Sequence, residues 1–192
     1  MALIDRVKNM LLTPKTEWPV IAGETTTVQS LYVGYILILA AIGPIAMALR
    51  LGLFGMGIGV AVISYIVALI MVYLLAWIVD ALAPTFGGEK NFIRSLQLTA
   101  YSFTAAWVAG IFHLIPFVGG LLALAAVIYS FYTFYLGAPV LRKCSQEKAA
   151  GYTIVIVLCA IVLGAVLSYI LYSSLMGGGM MGAGTMGLGP MR

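Results

Sequence analysis

"GIGVAVISYIVALIMVYLLAWIVD", residues 57–80, runs from Gly57 to Val79 without an Asp, Glu, Lys, Arg or His before Asp80 ends it. A helix rising 1.5 Å per residue needs about 20 such residues to cross a hydrocarbon layer roughly 30 Å thick. A barrel strand would instead be a segment of about ten residues that alternates apolar and polar, and no such alternation is present. Four further apolar runs flank it: about 29–49, stopped by Arg50; 92–115, with its clean core at 98–115; 118–140, ending at "LRKC"; and 153–172. Pro116 with Gly119 and Gly120 reads as a tight apolar turn between the third and fourth of the five runs.

Composition agrees. The chain of 192 residues is 63% hydrophobic and only 8% charged, whereas about a quarter of a soluble domain is charged; its mean hydropathy is +1.11. The fold expected is all-α: a polytopic membrane protein with a five-helix transmembrane bundle and an N-terminal amphipathic interfacial helix. Three parts follow, namely a cytoplasmic segment at 1–27, the bundle at 28–175, and a flexible Gly/Met-rich tail at 176–192. "MALIDRVKNM" lacks the apolar core and cleavage site of a secretory signal, so no cleavage is expected. Cys144 and Cys159 are too few and too differently placed for a disulfide framework. The net charge of +4 comes from bases scattered through the connections, which argues against nucleic acid as a partner.

The bases instead set the orientation. With five crossings, Arg6, Lys8, Lys15, Lys90, Arg94, Arg142, Lys143 and Lys148 fall on the N-terminal side, against Arg50 and Arg192 on the other. The positive-inside rule then places the N-terminus in the cytoplasm and the C-terminus in the periplasm or outside. Asp5, Glu17, Glu24, Asp80, Glu89 and Glu147 also fall on the cytoplasmic side, so that face carries nearly all the charge.

"DRVKNMLLTPKTEWPV", residues 5–20, precedes the first run. On a helical wheel Leu3, Ile4, Val7, Met10 and Leu11 share one arc, opposite Asp5, Arg6, Lys8 and Asn9. Pro14 disfavours helix at Thr13, so the segment is too short to span. It is expected to lie along the inner surface with Trp18 as a headgroup-level anchor; the alternative is a helix docked on the bundle. Arg6, Lys8, Lys15, Trp18, Asp80, Lys90, Arg94, Arg142, Lys143 and Lys148 therefore form the expected cytoplasmic surface for partners or lipid.

Catalysis finds no footing. Asp80 and His113 lie at opposite ends of their runs, so they form no acid–base pair. Asp80 reads as an interfacial residue or a partner of Lys90 or Arg94. Coupled carriers keep carboxylates near mid-membrane, and the five runs contain none. Gln97, Thr99, Ser102, Thr104, Ser130 and Thr133 offer a polar pathway, with interhelical hydrogen bonding as the alternative role. In the tail, Met176, Met180, Met181, Met186 and Met191 are weak candidates for Cu(I), whose preference for thioether sulfur is general; no His or Cys stands with them, and no cofactor is expected.

Three stretches carry a family resemblance: "LIDRVKNMLLTPKTEWPVIAGE" (3–24), "LAPTFGGEKNFIRSLQLTAYSFTAAWVAGIF" (82–112) and "YSFYTFYLGAPVLRKCSQEKAAGYTIV" (129–155). The chain resembles the bacterial branch of the Yip (Ypt-interacting protein) domain family, small inner-membrane proteins. The resemblance implies five helices and a cytoplasmic N-terminus. Its eukaryotic members act in vesicle traffic and bind Rab-type GTPases and one another. Their Asp-Leu-Tyr-Gly-Pro type motif is missing here, the nearest string being "SLYVGY" at 30–35, so the resemblance does not extend to Rab-type GTPase binding. Ala105 stands where bacterial relatives often carry proline, so the kink expected there is missing. The function expected is a non-enzymatic scaffold of the bacterial inner membrane, with membrane lipids, further copies of itself or other membrane proteins as partners. The alternatives are a small-solute or ion pathway in an oligomer and metal handling by the tail.

Overall fold

A computed structural model describes the backbone of residues 2–52 and 56–183 and the side chains of residues 2–52, 57–170 and 173. Among the described residues the structure is helical, with no strand. Two short helices, α1 (Leu3–Leu12) and α2 (Pro14–Gly23), lead into α3 (Val28–Leu51). Then follow α4 (Met56–Leu82), α5 (Phe92–Ser102), α6 (Thr104–Ala109), α7 (Val118–Arg142) and α8 (Gln146–Ala183).

Four described stretches are helical, long and apolar enough to cross a membrane: Val28–Leu51, Gly57–Phe86, Val118–Arg142 and Gln146–Ile170. On α4, Ile58, Val62, Ile66 and Ile70 are exposed; on α8, Ile154, Leu158 and Ile161 are. Only 17% of the apolar window of each helix is buried. Outward faces this apolar belong in hydrocarbon rather than water. The chain is a multi-pass membrane protein.

The third apolar run folds differently from its neighbours. It is helical from Phe92, breaks at Phe103, resumes as α6, and tightens into a 3-10 turn over Gly110–Leu114. Hydroxyls explain part of the break. Thr99 donates to the Ser95 carbonyl at 2.9 Å and Thr104 to the Tyr101 carbonyl at 2.6 Å, and such back-bonding bends helices. The missing proline at Ala105 therefore does not leave this run straight, contrary to the expectation from the resemblance. Near the far end Gly110 meets Gly43 of α3 so closely that a Cβ on Gly110 would stand 2.7 Å from the Gly43 Cα.

This broken run is the centre of the molecule. Every residue from Ser95 to Ser102 is buried, with α4 and α7 packed on α5, α3 and α7 on α6 and the 3-10 turn, and α8 on α4 and α7. A capping box of Thr27 and Ser30 starts α3, whose chain widens into a π-turn over Tyr32–Ile36. Lys143 in the left-handed region, at φ 56°, ends α7.

The N-terminal segment departs most from the surface-lying helix expected. α1 and α2 form a hairpin docked on the bundle: α2 packs along α7, and α1 reaches α6. Tyr129 donates to the Leu11 carbonyl at 2.8 Å and Trp18 Nε1 to the Thr133 carbonyl at 3.1 Å. Of the predicted apolar arc only Met10 is fully buried, while Ile4 is exposed and Arg6 turns inward. At the other end α8 continues to Ala183, past the boundary drawn at 175 from composition. Met186 and Met191, and the side chains of Met176, Met180 and Met181, lie outside the described residues.

Candidate functional site

The buried face of α2 is Pro14, Glu17, Trp18 and Ile21, a helical i, i+3, i+4, i+7 set that includes one carboxylate. α1 supplies its counter-ion. Arg6 Nη1 lies 2.5 Å from Glu17 Oε1 and Nη2 2.5 Å from Glu24 Oε1. Asn9 Nδ2 donates to the second Glu17 oxygen at 3.0 Å. The Arg6 guanidinium stands over the Tyr101 ring, 5.4 Å from its centroid, a cation–π contact. Tyr101 in turn meets Tyr35 edge-on at 4.7 Å, and the Tyr35 hydroxyl pairs with Thr104 Oγ1 at 2.6 Å.

Burial makes this arrangement all-or-nothing. Arg6 and Glu17 are each 4% exposed, and a buried ion deprived of its partner costs several kcal/mol. Arg94 of α5 ties the end of α2 through that helix's backbone. It donates to the carbonyls of Ile21, at 3.1 Å, and Ala22, at 2.8 Å, and to Gln97 Oε1 at 3.1 Å. A cation is well placed on the last carbonyls of α2, of which Ile21 also accepts from the Glu24 N–H at 3.2 Å.

Beside this cluster a cleft of about 630 Å³ opens between the hairpin and α3, with Arg6, Glu24, Ser30, Gly34, Tyr35 and Tyr101 in its wall. Gly34 and Tyr35 come from the π-turn, an irregularity frequent at functional sites. Tyr101 stands nine positions after Phe92, about 14 Å along the helix axis. Charge thus lies well inside the helical body.

A second ionic cluster ties the connections together. Arg142, fully buried, pairs with Asp80 at 3.0 Å and donates to the Asn91 carbonyl at 2.6 Å and to the Glu89 carbonyl. Asp80 Oδ1 also accepts from the Asn91 N–H at 2.8 Å and from Ser95 Oγ at 3.1 Å. The Glu89 N–H closes the circuit on the Arg142 carbonyl at 3.0 Å. An exposed pair, Lys143 with Glu89 at 2.9 Å, adds little. Next to it burial pushes the Cys144 thiol up, outweighing the lowering effects of its backbone hydrogen bond and of Arg142.

The expected cytoplasmic surface therefore divides. Lys8, Lys15, Lys90, Lys143 and Lys148 are exposed, and Asp80 and Arg94 half-buried. Arg6, Trp18 and Arg142 are corrections: they are 4%, 0% and 0% exposed, so they are internal ties and not contact residues. Trp18 is no headgroup anchor, because its ring fills the space left by Gly137, where a Cβ would come within 2.5 Å of it. Asp80 pairs with Arg142 and not with Lys90 or Arg94.

The six polar-pathway residues are brought together where α5, α6 and α7 meet, and all are buried. Their hydroxyls are largely spent on backbone: besides Thr99 and Thr104, Ser130 donates to Ala126 and Thr133 to Ser102 and Ser130. Gln97 Nε2 and Ser102 Oγ have no partner. Among the described residues no three His, Cys, Asp or Glu side chains are grouped to hold a metal. The residues missed from sequence are Asn9, Glu17, Glu24, Tyr35 and Tyr101; the single carboxylate on the buried face of α2 was the available signal.

No curated protein and no solved structure matches the chain. The model of the Yip1 domain matches residues 8–186, from within α1 to beyond α8. That match takes in the Asp80–Arg142 cluster and, of the other, Asn9, Glu17 and Glu24 but not Arg6, and on it the chain belongs to the Yip1 domain family.

Proposed function

We propose that the protein is a non-enzymatic assembly scaffold of the bacterial inner membrane, with five crossings, a cytoplasmic N-terminus and an external C-terminus. The fifth crossing is the broken path from Phe92 to Leu114, helical throughout except for the step at Phe103. Eight bases against two support the orientation. Exposed Ile4 and Leu12 of α1 give the docked hairpin an apolar edge for the inner leaflet.

One observation carries the scaffold reading: Arg142 fastens the 80–94 and 142–146 connections into one rigid face. Lys90 and Lys143 stand exposed on these two connections and Lys148 on the first turn of α8, where its ammonium lies beside Gly87. A preformed face needs no ordering when a partner arrives, which favours binding. With Glu89 and Glu147 also exposed and Lys143 paired to Glu89, the face is only weakly basic; Lys90 and Lys148 remain to meet an acidic partner surface or anionic lipid, at about 1 kcal/mol per base near such a surface. Changing Lys90, Lys143 and Lys148 together to Gln is expected to lower the cross-linked yield of its assemblies in native membranes at least tenfold while the bundle stays inserted. Unchanged assemblies would place the contact elsewhere.

A solute pathway is the second reading, favoured by the Arg6–Glu17–Glu24 cluster beside an open cleft. Ionisable groups inside a membrane are by default candidates for transport. It predicts flux into liposomes that Thr104→Leu abolishes; tight vesicles with the unaltered chain would remove it.

A further inference from the structure

A second, smaller pocket of about 200 Å³ lies at the N-terminal end of α5, lined by Glu24, Thr25, Thr26, Asn91, Arg94 and Gln97, with Ile93 at its edge. Gln97 is fully buried there. Its amide oxygen accepts from Arg94 Nη1, which fixes the orientation of the group, because a guanidinium offers only donors. The other end of the amide is therefore an NH2 with no protein partner. A buried donor left unsatisfied costs about 1–3 kcal/mol, so an acceptor is called for.

The surroundings say which acceptor. Arg94 contributes a positive charge, Thr25 contributes a hydroxyl while that of Thr26 is shared with Ser30 Oγ at 3.0 Å, and the Phe92 and Ile93 N–H groups of α5, a helix of 11 residues, point out of its N-terminus. Asn91 uses its oxygen to cap the Arg94 N–H at 3.2 Å, which leaves its NH2 outward. Glu24 is the one anion in the wall, and it is already paired with Arg6. Donors on several sides, with a cation beside them, match an oxyanion. We propose that this pocket binds a phosphate group. In the orientation proposed above, the pocket, beside the 80–94 connection, falls near the headgroup level of the inner leaflet, and free phosphate presents the same oxygens.

Full-length protein extracted with its own lipid, and the same protein after delipidation, tests this. Native mass spectrometry reads retained phospholipid, and the phosphorus NMR line width of added inorganic phosphate reads free-anion binding. The variants are Gln97→Leu, which removes the buried donor, and the exposed change Thr25→Val, which leaves the core untouched. The expected result is retained phospholipid that falls at least tenfold in Gln97→Leu and by a smaller factor in Thr25→Val. Phosphate broadening that is lost in the same variants, without retained lipid, supports the pocket with free phosphate as its source. Equal occupancy in folded Gln97→Leu, or no binding of either probe by the unaltered chain, would mean that water satisfies Gln97 and would overturn the proposal. Should Gln97→Leu fail to fold, Thr25→Val combined with Thr26→Val decides on the same two readouts, and unchanged occupancy there overturns it.

Discussion

Arg6 and Glu17 show how a single pair can fix where a segment sits. Each is almost fully enclosed, at 5% side-chain exposure for both, so neither is tolerable without the other. Glu17→Ala is expected to cost about 3 kcal/mol in unfolding measured in detergent, from the stranded guanidinium. Arg6→Met combined with Glu17→Leu is expected to cost less than the sum of the two single changes, since it removes both charges together. Equal, additive costs would show that the pair is solvated. Cys144 offers a second residue-scale test. Its thiol is raised by burial, so the thiolate fraction at neutral pH is smaller than for an exposed cysteine. Alkylation of Cys144 is expected to be slow at pH 7 and to accelerate as pH rises; rapid labelling at pH 7 would contradict its enclosure.

At the scale of elements, the hairpin and the broken run are the two informative pieces. Trp18 fits against α7 because Gly137 has no side chain; a Cβ there would stand 2.5 Å from Trp18 and 2.7 Å from Leu98. Gly137→Leu is therefore expected to expel α2, and tryptic cleavage after Lys8 and Lys15 should rise at least tenfold with α7 itself intact. Unchanged digestion would mean that the hairpin is held elsewhere. The long apolar runs were legible from sequence because lipid-facing helices need little besides length and apolarity, as α4 and α8 illustrate. The hairpin was not. Its inward face is chosen by Arg6 finding Glu17 and Glu24, a tertiary pairing that a helical wheel treats as an exposed charged side. The broken run was half legible: its length was apparent, but hydroxyls turned back onto their own helix and the Gly43–Gly110 approach leave no periodic signature.

Over the whole molecule, the two ionic clusters act at one end. One binds the hairpin to α5 through Arg6, Glu17 and Tyr101; the other binds the connections through Asp80 and Arg142. Between helices in lipid the hydrophobic effect contributes little, so packing and polar contacts must hold such pieces in place. The charge count behind the expected orientation placed Arg6 and Arg142 among contact residues, whereas the fold spends both internally. What is left exposed around the second cluster is Lys90, Lys143 and Lys148 with Glu89 and Glu147. Hydrogen exchange of the full-length protein in a bilayer tests this most directly, because amides exchange slowly only where backbone hydrogen bonds persist. The account predicts that the amides of residues 7–12, 17, 18, 20 and 21 of the hairpin exchange as slowly as those of α7. Exchange of the hairpin within seconds, while α7 stays protected, would contradict it and return the segment to the membrane surface.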